Sequence, residues 1–221
     1  MGCLNVKDDE QTIKLAYFGG NGRASISRAI LSLYPTEFID NKIDMEHWPT
    51  VKSSSYCEFQ QLPILEYKGK KYSQSLAIDL LLAKKYKLYG NDIEEDYQID
   101  SLLCTFDDLF SIVTKIAFAF TEEAKKEIDN NKKALIDKVK LYYGVFERRY
   151  GENGNGKYFL GNRFTLADIY LTVIVNNIHN LIKEDSPLDE VAPNLSKLVQ
   201  RIKENELKRF FEKYFINEAP F

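Results

Sequence analysis

With 221 residues, 44% of them apolar and 29% charged, the chain can bury a substantial core and suits one large domain or two small ones. Thirty Lys and Arg stand against 33 Asp and Glu, a net charge of −3, which argues against a protein that grips nucleic acid through its phosphates. Cys3, Cys57 and Cys104 form no CxxC pair, against a disulfide framework or zinc ribbon and in favour of a reducing, cytoplasmic compartment, and His47 and His179 are too few and too far apart for a His-rich metal centre.

Residues 1–11, MGCLNVKDDEQ, are polar and read as a flexible tail. Met1-Gly2-Cys3 also fits a lipid anchor, with a myristoyl group on Gly2 and a palmitoyl group on Cys3, although Val6 stands where that motif prefers Ser or Thr. No apolar run approaches the ~20 residues of a membrane span, and no secretory signal is present. Residues 13–18 alternate as a strand, Gly19-Gly20-Asn21-Gly22 turns, and Ala24, Ile26, Ala29, Ile30 and Leu33 follow helical spacing up to Pro35. Gly20-x-Gly22 is a weak dinucleotide-binding fingerprint: Ser25 occupies the place of a third glycine, and no further strand follows residue 73. Residues 37–42 predict a second strand, and 43–52 a loop or short helix containing Trp48-Pro49.

The stretch 59–78, FQQLPILEYKGKKYSQSLAI, carries three signals in close order. Pro63 can open a strand without breaking a ladder. Ile64, Leu65 and Tyr67 lead into Lys68-Gly69, and Lys71-Tyr72 resumes the extended pattern, which predicts a hairpin. Ser73-Gln74-Ser75 then precedes an apolar run, so a helix begins here and reaches about Tyr86. The first turn of a helix exposes unpaired N–H groups that suit an anion. A proline turn nearby leaves backbone groups for an extended peptide, so the pair makes a seat for a small peptide bearing a carboxylate.

Residues 89–94 read as a linker, 95–216 as an all-helical domain and 217–221 as a tail. Ile99, Leu102, Leu103, Phe106, Leu109, Phe110 and Val113 share one helix face, with Asp100, Cys104, Asp107, Asp108 and Ser111 as a polar stripe beside them. Leu135, Val139, Tyr142, Phe146 and Tyr150 mark the inward face of the next helix, closed by the loop GENGNG at 151–156. Thr165 and Asp168 form a capping box ahead of an apolar helix that should run through the core. Residues 193–205 and 207–215 complete the bundle.

Pro63-Ile64-Leu65, a short hairpin, and then Gln74-Ser75-Leu76-Ala77-Ile78 resemble the glutathione site of the cytosolic glutathione S-transferases. Lys14-Leu15-Ala16-Tyr17-Phe18 followed by Gly22-Arg23-Ala24 is similar to the sigma class and to its relative, glutathione-dependent prostaglandin D synthase. The resemblance spans residues 13–215. It implies an α/β thioredoxin-like domain at 12–88, arranged βαβ then ββα, before the all-α helical domain, with a cis Leu62–Pro63 bond. It also implies a homodimer that uses glutathione as co-substrate and joins its thiolate to small hydrophobic electrophiles.

On that resemblance Tyr17 is the catalytic hydroxyl. A free thiol titrates near ~8.5, and a phenol donating to the thiolate would lower this by about one to two pH units. Arg23 matches the arginine beside the tyrosine. Trp48 and Lys52 match the pair at the glycyl end of glutathione, with core packing as the competing account of Trp48. Gln61 and Leu62, before Pro63, match the residues whose backbone meets the cysteinyl unit. Gln74 and Ser75 match those that hold the γ-glutamyl carboxylate, and Asp108, with Asp107 as the alternative, matches the acid that reaches a partner's glutathione. Asn21 and Gln61 depart from an arginine and a lysine common in the family. Cys104 stands where the prostaglandin synthase has an aspartate, so no metal is carried over. An isomerase of prostanoid-like endoperoxides, or a non-catalytic binding member of the fold, shares the same residues.

Overall fold

The computed structural model describes residues 12–34, 38–183 and 186–215. Gly2 and Cys3, the expected acylation sites, and the 217–221 tail lie outside the described residues. Among the described residues no helix is long and apolar enough to cross a membrane. The chain divides into two compact units between Leu82 and Ala83.

The first unit is built on strands β1 (Lys14–Tyr17), β2 (Ile39–Lys42), β3 (Ile64–Tyr67) and β4 (Lys70–Ser73), in the order β2-β1-β3-β4. β1 runs parallel to β2 and antiparallel to β3, and β3 is antiparallel to β4. Helix α1 (Ser25–Ser32) links the parallel pair, α2 (Trp48–Ser53) follows β2, and α3 (Ser75–Lys85) follows the hairpin. This is the thioredoxin-like βαβ-ββα layout, and a mixed four-stranded sheet leaves no place for the dinucleotide-binding alternative. Leu15, Ala16, Ile64 and Leu65 are buried on the two central strands, whereas β2, at the sheet edge, exposes Ile39, Asn41 and Lys42. Lys68 and Gly69 both have positive φ, 52° and 69°, as a two-residue hairpin turn of matching twist requires. α1 is tied to α3 by the buried Ser27 hydroxyl, which donates to Asp79 at 2.5 Å.

The second unit contains α4 (Ile93–Ala117), α5 (Glu122–Lys126), α6 (Ile128–Glu152), α7 (Leu166–Ile182), α8 (Leu188–Val191), α9 (Pro193–Glu204) and α10 (Lys208–Tyr214). The Leu88 carbonyl accepts from the Leu166 N–H at 2.7 Å and Arg163 donates to the Tyr89 carbonyl, so the segment after α3 is fastened within this unit. α4 starts two residues before 95 because the Asp92 carboxylate accepts from the N–H groups of Glu94 and Glu95 at 3.0 and 2.9 Å. The expected apolar face of α4 is buried apart from the half-buried Phe110, and Phe106 packs against Phe146 of α6 and Tyr170 of α7. One inward position differs. Tyr143, not Tyr142, is fully buried on α6: both fit a 3.6-residue repeat after Val139, and Tyr142 instead turns its hydroxyl to Asp108 at 2.9 Å.

α7 is buried along nearly its whole length, and its start is the predicted capping box. The Asp168 carboxylate accepts from the N–H groups of Thr165 and Phe159, both at 2.8 Å, and from the Thr165 hydroxyl at 3.1 Å. Desolvation nevertheless outweighs those bonds and the nearby Arg201 charge, and pushes the carboxyl up to about 6. A carboxyl raised in the folded state contributes stability that is complete below its unfolded pKa and is lost as pH rises through the folded one. The unfolding free energy of the native chain minus that of Asp168→Asn should therefore fall by about 1–3 kcal/mol between pH 4 and pH 7. Urea denaturation of both proteins across that range reads it; a difference that grows with pH would mean the hydrogen bonds hold the group ionised instead.

Candidate functional site

Tyr17 ends β1, and its backbone carbonyl accepts from the Ile43 N–H at 2.8 Å, which locks the strand end to the segment after β2. The chain then turns through residues 18–21 into a single 3₁₀ turn, Gly22–Ala24. Gly22 has φ +34°, and a Cβ there would collide with the Tyr17 hydroxyl, so only glycine lets the phenol lie against this turn. The hydroxyl oxygen accepts the Arg23 backbone N–H at 3.0 Å. Burial raises the phenol above its ordinary range, opposed by that N–H and by the charges of Arg28 and Arg23. The half-buried phenol therefore stays protonated at neutral pH. With an oxygen lone pair given to Arg23, its own proton is free to be donated to something else.

Arg28 is the residue that sequence reasoning missed. Its side chain is completely buried, donating from Nε and Nη2 to Asp40 Oδ1 at 3.1 and 3.0 Å, from Nη2 to the Phe18 carbonyl at 3.0 Å, and from Nη1 to the Gly20 carbonyl. The guanidinium carbon lies 5.7 Å from the centre of the Tyr17 ring. One side chain thus fastens the loop after Tyr17 to β2. A signal existed: a lone arginine inside the otherwise small and apolar run 24–31. Arg23, the predicted arginine, has an exposed side chain, and its backbone supplies the contact to Tyr17.

Trp48 opens α2, with Pro49 in the first turn, where a missing N–H costs nothing. Its ring stands edge-on to Phe18 at 5.4 Å and packs on the Ala16, Cys57 and Ile64 cluster, while Lys52 Nζ lies 6.0 Å from its centre. The packing account of Trp48 therefore has direct support, and the ring is still only half-buried. The Leu62–Pro63 bond is cis. Before it, the buried Cys57 thiol donates to the Gln61 carbonyl at 3.1 Å and shapes the loop. Gln74 has φ +73° just before α3, and its amide donates to Gln61 Oε1 at 3.2 Å, so the two loops meet. Among the described residues, neither the backbone N–H and C=O of Leu62 nor the Ser75 hydroxyl forms a hydrogen bond.

Asp108 belongs to the second unit. It is exposed on α4, accepts the Tyr142 hydroxyl and lies 3.7 Å from Lys138 Nζ. Asp107, Cys104, Asp100 and Ser111 are exposed on the same stripe. Among the described residues, no three His, Cys, Asp or Glu side chains are grouped to hold a metal ion.

The family model "Glutathione S-transferase, C-terminal domain" matches residues 107–214. Over 197 residues the chain is 31% identical to glutathione S-transferase 2 of Manduca sexta, covering 89% of this chain and 93% of that one. A glutathione S-transferase of the hookworm Necator americanus, described as monomeric, matches with a TM-score of 0.80 at 26% identity over 91% of this chain and 97% of its own. The prostaglandin synthase D of Nilaparvata lugens matches with a TM-score of 0.76 at 30% identity over 91% of this chain and 98% of its own.

Removing the buried guanidinium leaves Asp40 uncompensated and two carbonyls without donors. Arg28→Met should cost about 3–5 kcal/mol in urea unfolding, and Asp40→Asn distinctly less. A loss below about 1 kcal/mol for Arg28→Met would show that the loop holds its shape without it.

Proposed function

The chain belongs to the glutathione S-transferase family, and on that premise we propose that it is a transferase joining the thiolate of glutathione to small hydrophobic electrophiles, with Tyr17 as the group that activates the thiol. The observation that carries this reading is the Arg23 N–H bound to the Tyr17 oxygen, which leaves the phenolic proton as a donor. A bound thiol receiving that hydrogen bond gives up its own proton to water more readily. The thiolate then attacks the electrophilic carbon, a carbon–sulfur bond forms and the leaving group departs with its electron pair. Tyr17 remains a phenol throughout.

The binding roles follow in the same reading. Leu62 would pair through its open N–H and C=O with the cysteinyl backbone. Ser75 would hold the γ-glutamyl carboxylate with its hydroxyl and the unpaired N–H groups at the start of α3, a setting suited to an anion. Gln74 and Gln61 would frame that end, Pro63 would keep the loop turned, and Trp48 with Lys52 would meet the glycyl carboxylate. Arg23 would add positive charge near the sulfur. The sigma-like assignment is supported by Lys14-Leu15-Ala16-Tyr17-Phe18 and Gly22-Arg23-Ala24.

A second reading, an isomerase of prostanoid-like endoperoxides, is favoured by the likeness to the Nilaparvata prostaglandin synthase. The same thiolate would act on a peroxide oxygen, and turnover of such an endoperoxide without net loss of glutathione would distinguish it from conjugation.

Tyr17→Phe should lower kcat/KM for 1-chloro-2,4-dinitrobenzene about 10–100-fold, the worth of one charge-assisted hydrogen bond, and move the pH midpoint of the rate upward by about one to two pH units. Rates within a factor of about two of the native enzyme would remove Tyr17 from the mechanism. A homodimer belongs to the proposal, supported by exposed apolar side chains on each unit: Phe59 and Leu76 on the first, Tyr97 and Leu141 on the second. Sedimentation velocity should show a dimer; a fully active monomer would deny Asp108 any role at a partner's glutathione.

A further inference from the structure

Two buried polar side chains of the first unit have no part in the roles assigned above. Ser27, on α1, is completely buried, and Asp79, on α3, is 2% exposed, so neither can touch a ligand. The Ser27 hydroxyl donates to Asp79 Oδ1 at 2.5 Å, joining residues 52 positions apart. Burying a hydroxyl and a carboxyl group is costly unless they are bonded, and an apolar pair of the same size would fill the space without that cost. Stability alone therefore does not account for a polar pair at this place.

Their positions in the chain supply another reason. Ser27 lies four residues beyond Arg23, whose backbone N–H holds the Tyr17 hydroxyl at 3.0 Å. Asp79 lies four residues beyond Ser75, so the two share one face of α3, Ser75 half-buried at the helix start and Asp79 buried one turn further on. That start is entered from Gln74, whose carbonyl accepts the Ile78 N–H at 2.9 Å. The Ser27–Asp79 bond thus braces the turn that carries Tyr17 against the start of α3. Ile26 and Ile30 of α1 and Ile78 and Leu82 of α3 are buried too. Apolar burial is non-directional, however, whereas a hydrogen bond weakens steeply as its length and angle change.

We propose that Ser27 and Asp79 are positioning residues for glutathione: their bond sets how far the carboxylate-holding start of α3 stands from the Tyr17 hydroxyl, so that one tripeptide reaches both. This role rests on the glutathione reading given above. The turn after Tyr17 is held by Arg28 as well, so loss of the brace displaces the α3 end. The defect then falls on glutathione affinity rather than on activation of the thiol.

The test measures Tm, the Kd of S-hexylglutathione by calorimetry, and KM for glutathione, kcat and the pH midpoint of the rate with 1-chloro-2,4-dinitrobenzene. Ser27→Ala should raise KM and Kd about tenfold, with kcat at saturating glutathione within a factor of about two and the pH midpoint unmoved. Asp79→Asn keeps an acceptor for the Ser27 hydroxyl and should lose less than about threefold in affinity. Ser27→Ala combined with Asp79→Leu removes both polar groups, so Tm should return toward the native value while KM stays about tenfold high. Should Ser27→Ala fail to fold, the double variant gives the same answer. A merely structural bond would lower Tm in the single variant and leave KM native wherever the chain is folded, and that result would overturn the proposal. So would a loss confined to kcat or the pH midpoint. If the native chain itself fails to bind S-hexylglutathione, the glutathione reading falls and this role with it; equal binding by the native chain and every variant refutes the brace alone.

Discussion

A guanidinium cut off from water must find acceptors, and at Arg28 it finds them in the loop that follows Tyr17. Two backbone carbonyls of that loop and the carboxylate of Asp40 on β2 converge on one side chain. Removing a cation from water costs several kcal/mol unless its donors are satisfied, so the loop has little freedom to move away. The Gly22 backbone, the Arg23 N–H and the Tyr17 hydroxyl inherit their positions from that constraint. The donor role proposed for Tyr17 would depend on such rigidity, because hydrogen-bond strength falls steeply as the angle opens.

The peptide seat proposed for the first unit would be assembled from two loops that are short and individually unremarkable in composition. Cys57 closes the first by donating its thiol to Gln61, and Gln74 reaches from the second to the same residue. Between them Leu62 leaves its backbone polar groups unspent in a half-buried position, where an unpaired N–H or C=O is unfavourable. Such groups favour an extended peptide as partner, and the start of α3 favours its carboxylate. The two preferences are complementary, and the proposed seat draws on both.

In the second unit two carboxylates serve helix starts. Asp168 joins the start of α7 to the Phe159 and Thr165 backbone, and Glu147 accepts the N–H groups of Asn194 and Leu195 at the start of α9. These carboxylates satisfy helix-start donors that have no partner within their own helix. Lys203 on α9, by contrast, donates to the Asn176 side-chain oxygen at 2.8 Å and lies 5.3 Å from the centre of the Phe211 ring.

Local chemistry made much of this protein readable from its residues. The strand–turn–helix around Tyr17, the hairpin at 64–73, the helix beginning at Ser75 and the capping box at Thr165 and Asp168 are each written in neighbouring positions, since turns, caps and amphipathic faces involve residues a few places apart. Asp92 was missed as a cap only because a linker and a helix start share the same polar residues. What folding alone decided involves residues distant in sequence or equivalent in period. Periodicity could not choose between Tyr142 and Tyr143, because both lie within a turn of the same helix face and only packing selects one. Nor could it reveal that Arg28 meets Asp40 and the carbonyls of Phe18 and Gly20, or that Ser27 meets Asp79. Hydrogen bonds of this kind are closed by tertiary approach, and no spacing rule encodes which distant acceptors a buried cation will reach.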